Sequence, residues 1–335
     1  MLWIALPVLL LHGLYFYLPQ LHQAVNPVLA ALLTGLLLSV FFTTLRKPHP
    51  TALTAVRNQT FHTIQQHALR LGIVLFALKV DPQLLLSTDP WLFARLVLLV
   101  VVVLCAALWL GVRYFHLPKA QVLLLSAGFS FCGTSAIFAT QSLQHTASVS
   151  KQDSAATPAQ LSQSLALVMI MGLLALACYN LLAYSGWFSQ AELAWLIGST
   201  APEVSQAVAA AGQLGQFAAL AVAIKLARVC LLAPFLIGLS RWQRSDARAP
   251  LPWFIIAFVV LLLLQLLLPV SETLRSAAAL LSQSCLMLAM IITGLQSRWQ
   301  DLKHCQWRTA AFASTVMLLM FALALLCIYF TAWET

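Results

Sequence analysis

Apolar runs of membrane-crossing length recur along almost the whole chain, and no other feature limits the possible folds so tightly. A spanning α-helix needs roughly 20 mostly apolar residues. Eleven segments meet or approach that length: residues 2–18, 24–42, 66–80, 91–112, 121–141, 160–184, 193–212, 217–239, 252–268, 274–295 and 309–331. Their periodicity is helical, and no alternating strand pattern with turn spacing appears, which argues against a β-barrel. With 61% hydrophobic and 8% charged residues and a mean hydropathy of +0.91, the chain falls outside the soluble range. The expectation is an all-α polytopic membrane protein, 1–335 forming a single membrane domain, with no soluble domain. The longest polar connections are only residues 43–63 and 142–159.

The formal charge of +9 raises nucleic acid as a partner, but its distribution points to the bilayer instead. Arg46, Lys47 and Arg57 lie between the second and third spans, and Arg113 and Lys119 between the fourth and fifth. Arg241, Arg244 and Arg248 follow the eighth, and Arg298, Lys303 and Arg308 follow the tenth. Every second loop is basic, which places the N-terminus in the cytoplasm and the C-terminus outside. The loop between the sixth and seventh spans departs from the pattern, with only Glu192. Seven cysteines, among them Cys105, Cys132, Cys178, Cys230 and Cys327 deep in spans, read as small packing residues rather than a disulfide framework. The first apolar segment has no basic flank and no small-residue cleavage pattern, so it reads as a retained helix.

The Ser/Thr/Ala-rich stretch within 142–159 divides the chain. If residues 1–20 form a peripheral helix, 24–185 and 192–333 each hold five spans. An odd number inverts the second half relative to the first, a frequent plan for secondary transporters. "ALRLGIVLFAL" (68–78) laid over "AIKLARVCLLA" (223–233) supports that register weakly.

Two spans break the rules of their environment. "SFCGTSA" puts Ser130, Cys132, Gly133, Thr134 and Ser135 at the centre of the fifth span. "GSTAPEVSQ" puts Ser199, Thr200, Pro202, Glu203, Ser205 and Gln206 inside the seventh. Pro202 removes a backbone donor and disfavours helix at Ala201. Both helices are therefore expected to be interrupted, and a broken helix exposes unpaired N–H groups that attract anions. Small residues that merely allow close helix packing are the competing explanation for the first stretch. Glu203 at depth costs about 2.5 kcal/mol or more unless paired, hydrated or protonated. Its candidate partners are Lys225 and Arg228, three apart on one face of the eighth span. Arg70 and Arg95 sit near span ends, where snorkelling accounts for them. Gln283 and Ser284 in the tenth span, the counterpart of the fifth by order, form a weaker polar pair.

No Walker loop, H-E-x-x-H or G-x-S-x-G occurs, and the eight histidines are scattered. The chain thus reads as a non-enzyme without a cofactor or metal. The run "LRLGIVL", "CGTSAIFAT", "IGSTAPEVSQAVAAAG", "IKLARVCLLAPFL", "PWFIIAF" and "LAMIITGL" resembles, in order, the YeiH-type putative sulfate exporter family over about residues 66–300. That resemblance implies a bacterial inner-membrane protein with a fold akin to the inverted-repeat bile acid and arsenite transporters. This chain has Pro202 where family members commonly carry histidine, and Gln141 where they commonly carry glutamate. Both changes delete a titratable group.

These readings converge on a secondary transporter of a small anion, with a sulfur oxyanion as the implied class. The hydroxyls and half-helix N-termini around Ser130, Cys132, Gly133, Thr134, Ser135, Ser199, Thr200 and Gln206 would hold the anion. Lys225 or Arg228 would balance its charge, and Glu203 would couple protons or pair with a cation. The expected partners are the anion, the lipid bilayer and a second copy in a homodimer, with no nucleic acid. A cation-coupled antiporter and a passive anion channel remain open at this point.

Overall fold

The computed structural model describes residues 30–31, 34–35, 37–38, 52–79, 91–148, 156–243, 253–267, 271–296 and 306–330. The first span expected at 2–18, the peripheral helix within 1–20, most of the second span, and Arg46, Lys47, Arg244, Arg248, Arg298 and Lys303 lie outside the described residues. Among the described residues every regular element is helical. In chain order the principal helices are α1 (Ala52–Phe76), α2 (Trp91–Arg113), α3 (Lys119–Ser130), α4 (Gly133–Ser148), α5 (Pro158–Ser185) and α6 (Gln190–Thr200). They continue with α7 (Val204–Ala211), α8 (Ala218–Cys230), α9 (Leu232–Gln243), α10 (Trp253–Leu267), α11 (Glu272–Gln296) and α12 (Trp307–Phe330). Among the described residues, five stretches are individually long and apolar enough to cross a membrane: Trp91–Arg113, Pro158–Ser185, Gly215–Trp242, Glu272–Ile292 and Trp307–Phe330.

The chain forms two compact units, Met1–Ser87 with Pro252–Arg298 and Thr88–Leu251 with Trp299–Thr335. Each draws on both sides of the polar connection. The segments laid over one another, 68–78 and 223–233, fall in different units. That connection is also shorter than the sequence suggests, because α4 continues to Ser148 and α5 begins at Pro158.

In the first unit, α1 and α11 pack through a glycine. A Cβ added at Gly72 would come within 2.9 Å of Leu286 Cγ, so only glycine lets the two helices meet at this distance. Ser282 Oγ donates to the Gly72 carbonyl at 2.7 Å, and Gln265 Nε2 on α10 donates to the Ala77 carbonyl at 2.8 Å. Helix α11 runs unbroken from Glu272 to Gln296, and its Ser284 hydroxyl is satisfied within the helix by the Leu280 carbonyl. The span that matches the fifth by order therefore carries no interruption.

In the second unit, burial separates two kinds of helix. On α2, Leu92, Leu96, Leu99, Val100, Val103, Ala107 and Gly111 are buried at helical spacing. Phe93, Val97, Leu98, Val101, Val102 and Trp109 on the same helix stay exposed, as an apolar face against lipid requires. Helix α3, by contrast, is buried at every position from Gln121 to Ser130, α6 from Leu193 to Thr200, and all of α7 is buried. A helix enclosed on all sides belongs to the interior of the bundle. Local signals set the ends. Thr157 caps α5 in a capping box with Gln160, Pro158 occupies the first turn, and Gly186 at φ 69° terminates it. Ser189 and Glu192 form a second capping box, with Ser189 N–H donating to Glu192 Oε2 at 2.7 Å. The acid that departs from the loop-charge pattern is thus a helix-starting residue.

A candidate site at two interrupted helices

The first interruption separates α3 from α4. Phe131 leaves helical geometry at φ −120°, ψ −89°, and Gly133 restarts the chain at φ +40°, a left-handed conformation that costs a side-chain-bearing residue about 1–2 kcal/mol. Glycine is required here for a second reason. A Cβ on Gly133 would collide with the Glu203 carboxylate. The second interruption separates α6 from α7. Ala201 turns extended at φ −57°, ψ 127° before Pro202, and Glu203 at φ −105°, ψ 146° caps α7. The Glu203 N–H donates to Gln206 Oε1 at 3.3 Å, while Gln206 Nε2 reaches the Met169 carbonyl on α5 at 3.5 Å. The Gln206 amide lies against Gly172, where a Cβ would come 2.5 Å from its Nε2 and push the amide aside.

Both breaks leave carbonyls at the C-terminal ends of α3 and α6 without intrahelical partners. Helix α8 supplies those partners. It can approach because residue 198 on α6 is glycine, where a Cβ would sit 2.6 Å from the Ala221 carbonyl. Lys225 Nζ donates to the carbonyls of Phe131 at 2.8 Å, Ala201 at 2.6 Å and Pro202 at 2.9 Å. Arg228 donates from Nε to Ser130 at 2.7 Å, from Nη1 to Ser199 at 2.7 Å and Ala201 at 3.1 Å, and from Nη2 to Phe129. Both side chains are fully buried. Hydrogen bonds to a charged group contribute about 1.5–3 kcal/mol each. Three for Lys225 and four for Arg228 are thus of the same order as the several kcal/mol that desolvating each ion costs. The negative ends of two helix dipoles add to that compensation. The acceptors fall in register: Arg228 joins Phe129 to Ser199 and Lys225 joins Phe131 to Ala201, each pair 70 residues apart.

Glu203 does not make the ion pair weighed as one alternative for it in the sequence. It is 7% exposed, and its Oε1 accepts the Thr134 N–H at 2.6 Å, in the first turn of α4. Among the described residues the ion pair within 4 Å is Arg275 with Glu272, at 3.7 Å, and Glu203 has none with Lys225 or Arg228. The carboxylate meets the positive end of one half-helix, and the cations meet the negative ends of the two others.

The hydroxyls named from the sequence divide into three groups. Ser199 Oγ and Thr200 Oγ1 return to the Leu196 carbonyl at 3.4 and 2.5 Å, and Thr200 also pairs with Tyr179 Oη at 2.8 Å. Ser135 is exposed with its Oγ on the Cys132 carbonyl at 2.8 Å, and Thr134 is half-buried. Ser130 Oγ is buried without a partner among the described residues. Cys132 is 6% exposed between Phe131 and Gly133. Gln141 lies half-buried two turns along α4. Tyr179, Gly172 and Gly198 were not singled out from the sequence. A hydroxylated aromatic and two glycines inside otherwise apolar spans were the available signals.

The family described as conserved hypothetical protein 698 matches residues 5–313. The chain belongs to this family. A UPF0324 membrane protein from Pseudomonas putida is 27% identical over 255 residues, 72% of this chain and 69% of that protein. A UPF0324 membrane protein of Wolinella succinogenes is 32% identical over 70% of each chain. The UPF0324 inner membrane protein YeiH of Salmonella typhi is 31% identical over 71% of this chain and 69% of its own. No solved structure matches. Members of this family are named as membrane proteins, and with the five apolar spans this makes the chain a multi-pass membrane protein.

Proposed function

We propose that the protein is a secondary transporter of a small anion, of the sulfur oxyanion class, in the bacterial inner membrane with its N-terminus cytoplasmic. One observation carries the reading. Two buried cations against one carboxylate leave a net positive charge beside interrupted helices, in a unit whose surroundings are apolar. An anion relieves that imbalance. A bound cation would deepen it, which disfavours the antiporter.

The roles shift from those expected of the sequence. Every Lys225 proton already has a carbonyl, so Lys225 and Arg228 supply potential rather than direct contacts. Direct contact falls to the first turn of α4, around Thr134 and Ser135, once Glu203 is protonated or moves off the Thr134 N–H that it occupies. The sulfur oxyanion class comes from the family resemblance of the sequence, and the inner-membrane placement agrees with the name of the Salmonella relative. The test is uptake into proteoliposomes of sulfate, sulfite, thiosulfate, small sulfonates and carboxylates under imposed pH or sodium gradients. Saturable anion uptake above protein-free vesicles supports the proposal. Cation flux without anion flux, or conductance without exchange, replaces it with the antiporter or the channel.

A further inference from the structure

The Lys225 ammonium is held by backbone oxygens alone. Three carbonyls from two separate helix breaks, Phe131, Ala201 and Pro202, converge on one nitrogen at 2.6–2.9 Å. Both breaks follow helix C-termini, whose dipoles favour a positive charge. Unwound carbonyls and half-helix C-terminal ends are also the groups that coordinate a free alkali cation where membrane helices are interrupted. We propose that these three carbonyls form a monovalent-cation site that the chain fills with its own ammonium group. The wild-type protein therefore binds no free sodium or potassium there, and shortening Lys225 opens the site to a small cation.

The chemistry favours the tethered ion over a free one. An ammonium offers three N–H donors, and the site offers three acceptors. Arg228 donates to the same Ala201 carbonyl at 3.1 Å, which places a second positive charge beside the site and works against any loosely bound ion. A tethered ammonium loses no translational freedom on arriving, so it outcompetes a free ion beside that neighbour, and a free ion enters only when the lysine is cut back and the ion is supplied at high concentration. When the lysine is cut back, the three carbonyls become buried acceptors without donors, which is the condition that recruits a replacement. Spacings of 2.6–2.9 Å suit ammonium, methylammonium and potassium better than sodium. The inference concerns the cation site alone and does not depend on the anion reading.

Thermal unfolding of the full-length protein in detergent tests it, with choline chloride holding ionic strength constant. Wild type should unfold at the same temperature in sodium, potassium and choline chloride. Lys225→Ala should unfold several degrees lower in choline. About 0.2 M methylammonium chloride should recover a substantial part of that loss, since a ligand that binds only the folded state raises its Tm. Gly186→Ala, altered far from the carbonyls at a position with nothing within 4 Å, should not respond to methylammonium. Stabilisation of wild type by sodium over choline overturns the inference. So does a folded Lys225→Ala protein that no monovalent cation stabilises beyond the Gly186→Ala control. If Lys225→Ala cannot be extracted folded in choline, the readout becomes the yield of monodisperse protein prepared with and without methylammonium. Equal yields then count against the proposal.

Discussion

Gly133→Ala tests whether the first helix break is shaped by its own backbone or by the carboxylate opposite it. Two penalties act there. An alanine at φ +40° costs about 1–2 kcal/mol for the left-handed conformation. Its Cβ would also lie 2.6 Å from Glu203 Cδ, so the carboxylate must move off the Thr134 N–H, and losing a hydrogen bond to a charged acceptor costs about 1.5–3 kcal/mol more. Gly186→Ala isolates the first penalty, because Gly186 has φ +69° and open space around it. The assay is thermal unfolding in detergent followed by the fluorescence of the 10 tryptophans. Gly133→Ala should lower Tm about two to three times as far as Gly186→Ala. Made in a Glu203→Ala background, Gly133→Ala should cost no more than Gly186→Ala, a coupling of roughly 1.5 kcal/mol or more between neighbours in contact. Equal losses for the two glycines in the wild-type background, or an undiminished loss without Glu203, would refute the argument.

Glu203→Gln should cost only about 1–2 kcal/mol, since the amide oxygen still accepts the Thr134 N–H and no ion pair is broken; a loss of the 3–5 kcal/mol typical of a stranded buried charge would reveal a hidden pair. If Glu203 couples protons, the same sample should exchange anion while losing its response to a pH gradient in proteoliposomes. Arg228→Lys should destabilise by about 2–4 kcal/mol, because a point ammonium cannot span the four carbonyls that the guanidinium fork reaches; near-native unfolding would show that those bonds contribute little. With the N-terminus cytoplasmic, a membrane-impermeant thiol reagent should label Trp187→Cys only from the cytoplasmic side and Ser148→Cys only from outside, and the reverse result would invert the assigned topology.

The all-helical, membrane-crossing character and both breaks were legible because their causes are local. Length and apolarity mark a crossing helix, Pro202 dismantles the turn before it, and Gly133 supplies the left-handed residue at which α4 restarts. The partners of the charges were not legible. Lys225 and Arg228 bond backbone oxygens, which every residue carries, so no spacing in the sequence distinguishes their targets from a bound anion. Glu203 likewise meets a backbone N–H, a partner that no spacing in the sequence points to. Glu192 illustrates the opposite case, since Ser189 and Glu192 stand at capping-box spacing and a charge-only reading passed over it. Helix α11 runs unbroken, and pairing spans by order could not foresee that this counterpart of the fifth span lacks a break.

The two cations on α8 stand three residues apart, less than one turn, yet between them they grip both breaks. In mechanical terms, two hinges share one pin. Bending α3 against α4 pulls on Phe129, Ser130 and Phe131, and the strain passes through Arg228 and Lys225 to Ser199 and Ala201 within a few ångströms. A conformational cycle that kept these bonds would turn the two hinges together and carry α8 and both breaks as a block.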